Sequence, residues 1–170
     1  RGYEELAKGN IPIIASFDKD TYQGQGLHVY NFKNKGAKVE HIPEVGSLTF
    51  KAPQTVKGDG IKFLCWQWIC YDKVDNYCSY DCSTKRFGPK TAYNLLKDLD
   101  SEKECLEMVL KVFKERYPEP FTYTAWDESI VESSWKHQLE MYFACCWMKR
   151  SRDDPSSPWL LFDKYNVEYE

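Results

Sequence analysis

The chain has 170 residues, 42% hydrophobic and 16% aromatic, enough apolar side chain for one domain or a core with a helical appendage, and too much for a disordered segment. A formal charge of −3 and a pI near 5.7 exclude a uniformly basic nucleic-acid binder, so any polyanion contact must rest on local charge. No apolar run is long enough to span a bilayer and no basic-then-apolar leader is present, which predicts a soluble cytoplasmic protein without a membrane partner, and seven cysteines without paired spacing fit reduced thiols better than a disulfide scaffold.

Residues 2–9, G-Y-E-E-L-A-K-G, read as the closing turns of a helix stopped by Gly9 and Asn10. Because the chain opens on Arg1 in those turns, a longer parent is expected. Residues 11–17 form a nearly continuous apolar run with three isoleucines, as in the buried strands of a parallel sheet. Its end carries Asp18 and Asp20, and the carboxyl ends of such strands are where α/β proteins build sites. Taken alone, the acidic pair reads first as a solvated turn.

Residues 22–26 make a glycine-containing turn without phosphate-loop spacing. Residues 27–32 alternate as a half-buried strand, and Asn34-Lys35-Gly36 turns the chain back into residues 37–42 as an edge hairpin. His28 and His41 read as strand residues, since neither has a His or Cys at ligand spacing. Residues 43–60 show no period and read as loop with one short strand at 47–51. Residues 61–70 are apolar on nearly every side, the mark of a helix buried all round. That helix is expected to carry Asp72 and Asp75 on its C-terminal end, facing Asp18 and Asp20.

Asp72 and Asp75 stand three residues apart, a spacing that projects both carboxylates from one side of a helix end, and hard divalent cations take such oxygen ligands. K-R-F-G-P-K-T-A, residues 85–92, then reads as a basic turn entering a helix, with Pro89 at the first position, where its missing N–H costs nothing. The free N–H groups of that turn attract anions. Lys85, Arg86 and Lys90 add full positive charge beside them. Carboxylates for a cation, followed by a backbone clamp for phosphate, suggest an enzyme that grips a nucleic-acid strand while hydrolysing it.

Residues 91–99 make a short helix with Leu95, Leu96 and Leu99 inward. Ser101 to Glu104 is a capping box. It opens a helix with Cys105, Met108, Val109, Val112 and Phe113 at core spacing and Lys111, Lys114 and Arg116 on a solvated face. Residues 121–131 suggest a small hairpin, and Ser134 leads a helix to Arg150, where residues 149–152 form a basic knot. Residues 159–162 pack back on the body. Cys78 and Cys82 invite a zinc reading, but the two tight pairs of a structural zinc site are lacking, and apolar packing accounts better for the cysteines.

Two of these stretches, in this order, carry a resemblance. D-x-x-D-N at residues 72–76, a loop, and G-P-K-T-A-x-x-L-L at residues 88–96 resemble the junction between catalytic core and helical DNA-binding region in the 5′-nuclease superfamily. That superfamily comprises flap endonucleases, bacterial polymerase 5′-nuclease domains and phage 5′-to-3′ exonucleases. I-I-A-S-F-D-K-D at residues 13–20 resembles the family's strand ending in D-x-D. Residues 77–87 are longer and richer in cysteine than the usual glycine-rich turn, and Tyr71 stands where a Gly usually precedes the Asp. The phage exonucleases are the most similar branch.

The resemblance implies an α/β fold: a PIN-like (Rossmann-like) parallel-sheet core fragment over residues 1–76, then a helical, helix-turn-helix (H3TH-type) DNA-binding region over residues 77–170. It implies a phosphodiester hydrolase using two Mg²⁺ or Mn²⁺ ions, with Asp18, Asp20, Asp72 and Asp75 as ligands. Lys85, Arg86, Gly88, Lys90 and Thr91 match the clamp on duplex backbone, which reads phosphate and no bases. The implied partner is DNA with a 5′ end or flap. The family's earlier carboxylates and its E-x-D-D helix have no counterpart before Asp18, so an upstream segment or a second chain is expected to complete the catalytic unit. Two other classes compete: a non-catalytic duplex-DNA-binding module and a zinc-stabilised interaction domain.

Overall fold

Helix α2 (Gly60–Ile69) runs through the interior with every residue buried except Trp66, as its nearly all-apolar faces predict. Trp68 sits in its last turn. The indole lies 4.7 Å from the Phe143 ring of helix α5 (Trp135–Cys146), 5.8 Å from Phe162 of helix α6 (Pro158–Lys164) and 6.4 Å from Phe113 of helix α4 (Glu102–Arg116). Its Nε1–H donates to the Leu139 carbonyl at 2.9 Å, so the polar tip of the largest core side chain is satisfied where it is buried.

The computed structural model of the chain describes residues 1–52, 55–70 and 88–170. Among them the architecture is mixed α/β, with six helices and seven short strands. Helix α1 (Gly2–Ala7) stops at Gly9 with φ +81, as predicted. Strand β1 (Ile13–Ala15) pairs in parallel with β2 (His28–Tyr30), and β2 pairs antiparallel with β3 (Glu40–His41), the predicted edge hairpin.

Parallel pairing stops there. The pairs β4 (Leu48–Lys51) with β5 (Thr55–Gly58), and β6 (Phe121–Thr124) with β7 (Ile130–Ser133), are antiparallel. A parallel neighbour needs a crossover of about a dozen residues, whereas short links close as hairpins, and among the described strands only the link from β1 to β2 is used as a crossover. A second expectation also changes: β1 is not a buried strand. It is paired on one edge only, and Ile13 is 56% exposed because nothing among the described residues covers that face.

Strand β5 falls within residues read as loop. It forms because Asp59 and Ser47 clasp the base of the hairpin, the Ser47 N–H donating to the Asp59 carboxylate at 2.6 Å and the Asp59 N–H to the Ser47 carbonyl at 3.1 Å. The clasp demands glycine: a Cβ on Gly46, at φ +78, would lie 1.9 Å from the Asp59 carbonyl oxygen. The same loop caps α2, whose Ile61 and Lys62 N–H groups donate to the carbonyls of Glu44 and Val45.

Helix α3 (Pro89–Leu96) buries Ala92 and Leu96. Helix α4 opens on the predicted capping box, with both hydrogen bonds between Ser101 and Glu104 formed. Arg116, expected on a solvated face, is 4% exposed. Its Nη2 donates to the Ile69 carbonyl at the end of α2 and its plane lies 5.5 Å from the Phe113 ring; burial lowers its pKa. A cation at a helix C-terminus is favourable there. Helix α5 starts after Ser134 as predicted but ends at Cys146 rather than Arg150, because Gln23 takes the place of the next helical partners. Helix α6 packs Leu161 and Phe162 inward, and Cys65, Cys70, Cys105 and Cys146 are buried packing residues. No helix among the described residues is long and apolar enough to cross a membrane.

Beyond α5 the Asp154 carboxylate accepts from the Trp147 indole at 3.0 Å and from the Arg150 and Ser156 N–H groups at 2.8 Å. Burial raises its pKa, but these donors outweigh that effect and hold it below the usual carboxylate value. The stability so gained is present above the unfolded pKa and lost as pH falls through the lower folded one. Asp154→Asn is therefore expected to flatten the acid limb of the stability curve below about pH 4. Urea unfolding across that range checks this, and a limb as steep as that of the unaltered protein would contradict it.

Candidate functional site: an acidic turn and a helix start joined by one buried helix

The chain leaves β1 into a short 3₁₀ helix, Lys19–Gln23, and Asp18 is its N-cap. The Asp18 Oδ1 accepts from the Asp20 N–H at 3.0 Å, and its own N–H donates to the Ser16 hydroxyl at 3.0 Å. The D-K-D turn is thus a capped helix start, with Asp18 exposed and Asp20 half-buried. Asp20 reaches inward. Its Oδ1 accepts from the Gln67 carboxamide of α2.

Gln67 is the middle of a buried polar chain. Its Oε1 accepts from Gln23 Nε2 at 3.0 Å. The same Gln23 nitrogen donates to the Cys146 carbonyl at 2.8 Å, and Gln23 Oε1 accepts the Met148 N–H at 3.2 Å. Gln23 and Gln67 are both buried, so each amide bond is held against the cost of a stranded polar group. The chain fixes the acidic turn against α2 and against the end of α5 at once.

The neighbouring residue on α2 holds the other half of the site. Trp66 Nε1 donates to the Pro89 carbonyl at 3.0 Å, in the first turn of α3. Gly88 is the N-cap and Pro89 follows it directly; no side chain caps this helix, and a Cβ at Gly88 would meet nothing within 4 Å. Among the described residues the turn is open to an approaching group. Lys90 and Thr91 are exposed on it, and the Lys90 ammonium stands 5.9 Å from the Phe50 ring of β4. Helices α4 and α5, by contrast, are capped by their own serines.

Of the predicted site residues, the structure therefore places Asp18 and Asp20 in one turn and Gly88, Lys90 and Thr91 on the first turn of α3, each set tied to α2. Asp72, Asp75, Lys85 and Arg86 lie outside the described residues. Helix α2 ends at Ile69 with Cys70 extended. Among the described residues no three His, Cys, Asp or Glu side chains form a metal-holding group.

Within the basic knot Arg150 is half-buried against the body. The Arg150 guanidinium bonds to Gln25 and lies 4.5 Å from the Trp147 ring and 5.0 Å from Tyr3. Two positioning residues, Gln67 and Trp66, escaped the sequence reading, although an amide within W-Q-W on a mostly apolar helix is a visible signal. The chain matches no family model, no curated protein and no solved structure.

Replacing Gln67 by Leu keeps the volume but removes the donor to Asp20 and the acceptor for Gln23. We expect a loss of about 1–3 kcal/mol of stability in urea unfolding, the cost of stranded buried partners; a loss below about 0.5 kcal/mol, the scatter of neutral surface changes, would show the polar chain to be idle.

Proposed function

We propose that the chain is the C-terminal part of the catalytic unit of a metal-dependent 5′-nuclease acting on DNA, with a PIN-like core fragment in residues 1–76 and an H3TH-type DNA-binding region in residues 77–170. The observation that carries this reading is the pairing on α2: consecutive residues, Trp66 and Gln67, hold the helix start that would take phosphate and the acidic turn that would take a cation. Two motifs far apart in the chain are thereby tied to one rigid element.

The donor set suits a hard cation. Asp18 and Asp20 are carboxylates in one turn, and the next acidic pair in the sequence begins two residues after Cys70. Asp18, Asp20, Asp72 and Asp75 would hold Mg²⁺ or Mn²⁺, with further carboxylates supplied from an upstream segment or a second chain. Such ions supply charge neutralisation at phosphate and a more acidic bound water.

The protein's own groups do the rest. The positive end of α3 and the Lys90 ammonium bind a duplex phosphate, and Gly88, without a side chain, lets the backbone approach closely. Lys85 and Arg86 add charge on the same stretch of sequence. Gln67 orients Asp20, and the Asp20 N–H orients Asp18.

A specific observation favours a second reading, a duplex-binding module with idle carboxylates: Asp18 and Asp20 already have structural bonds, one as a helix cap and one to Gln67. Cleavage separates the two. In the complete protein, Asp72→Asn with Asp75→Asn is expected to lower Mg²⁺-driven degradation of 5′-ended DNA by about two orders of magnitude or more, while duplex binding in Ca²⁺ survives. Undiminished degradation would remove those residues from the site, and tight binding with no degradation by the unaltered protein would favour the module. Lys90→Ala is expected to weaken binding equally for all sequences and to reduce the salt slope by about one; an unchanged slope would take Lys90 off the phosphate.

A further inference from the structure

The chain has three histidines, and none of them belongs to the acidic turn or to the helix start of α3. His28 and His41 are too far apart in the sequence to meet along the chain, but the β2–β3 ladder sets them directly opposite each other. In the neighbouring pair the Ile42 N–H donates to the Leu27 carbonyl at 2.8 Å. Hydrogen-bonded and non-hydrogen-bonded pairs alternate along an antiparallel ladder, so His28 and His41 form a pair of the second kind, whose side chains stand closer. Their ring centres are 4.9 Å apart, with the planes inclined at 59°.

That separation suits two ligands on one ion. With metal–nitrogen bonds of about 2.0–2.1 Å, two imidazoles in neighbouring positions of a tetrahedral or tetragonal ion bring their ring centres to roughly 4.5–5 Å. The His28 ring also has an unmet demand: its Nδ1 is buried without a hydrogen-bond partner among the described residues. Ligation through that nitrogen removes the cost of leaving it so. His41 is exposed, and β3 is an edge strand among the described residues, so an ion reaches the pair from solvent. Imidazole suits Zn²⁺, Cu²⁺ and Ni²⁺, whereas Mg²⁺ and Ca²⁺ take oxygen ligands.

We infer that His28 and His41 together hold one divalent transition ion of the Zn²⁺, Cu²⁺ and Ni²⁺ class, with water in its remaining positions. The site needs neither DNA nor the carboxylates of the acidic turn, so it stands apart from the nuclease reading. Its effect is structural. Strand β3 is two residues long and, among the described residues, paired on one side only, and two metal bonds from β2 to β3 clip shut the link over residues 31–39. Because the two rings stand at this separation only when the ladder has formed, the ion favours the folded sheet.

Ni²⁺ serves as the probe, since its paramagnetism broadens the ring signals of a histidine that binds it. His137, whose Nδ1 is already hydrogen-bonded with the Ser133 hydroxyl, is a lone imidazole in the same molecule and so an internal reference. In proton NMR of the full chain titrated with Ni²⁺, the His28 and His41 signals are expected to vanish at about a hundredfold lower Ni²⁺ than the His137 signal, the gain from a second ligand on the same molecule. His41→Gln, at an exposed position, is expected to raise the Ni²⁺ needed for His28 to the level needed for His137, while an equal concentration of Mg²⁺ changes nothing. Loss of all three signals at the same Ni²⁺ concentration in the unaltered protein would overturn the inference without any variant. A His28 midpoint that His41→Gln leaves unmoved, or displacement of Ni²⁺ by equal Mg²⁺, would overturn it as well.

Discussion

The contact between the Gln67 carboxamide and Asp20, continued through Gln23 to the end of α5, is the constraint on which the arrangement of this molecule turns. An amide buried among leucines and tryptophans has few acceptable partners, and losing one costs the whole desolvation of the group. Packing alone would let the N-terminal segment slide over the helical body by a residue or so. A chain of amide bonds with fixed donors and acceptors does not, and it sets the acidic turn in one place relative to α2.

Helix α2 can serve as the common axis because successive residues point about 100° apart. Trp66, Gln67 and Trp68 therefore look in three directions, and each ends in a polar group with a distinct partner: the Pro89 carbonyl of α3, the Asp20 carboxylate, and the Leu139 carbonyl of α5. Arg116 ties the last carbonyl of the helix to α4. A helix buried on all sides is rigid, and what is fastened to it at two points inherits that rigidity. This makes α2 a suitable bridge between a cation-binding turn and a phosphate-binding helix start in the nuclease reading.

The sheet behaves differently from the helices. Among the described residues β1 keeps one edge and one face uncovered, with Ile13 largely in solvent, while on the same face the register brings His28 and His41 side by side with ring centroids 4.9 Å apart. Two histidines thirteen residues apart had nothing to join them in the primary order. Strand pairing placed them together. Phe17, just past the paired residues, stays 54% exposed rather than in the core.

Helix positions followed from the sequence because their signals are local: the period of the apolar residues, the Ser101–Glu104 box, Ser134 ahead of its helix and Pro89 at a helix start each act within one turn. The D-K-D and G-P-K-T-A segments were equally visible as the candidate cation and phosphate segments of the nuclease reading. Strand β5, the burial of Arg116, the early end of α5 and the exposure of β1 were not, because each depends on a partner distant in sequence: Asp59 on Ser47, Arg116 on Ile69, Cys146 on Gln23, and β1 on the single strand beside it. Residue types and their local spacing determined which elements form and what chemistry they carry; only the tertiary structure decided which of them face one another, since a buried hydrogen bond is satisfied by whichever group the fold brings within about 3 Å.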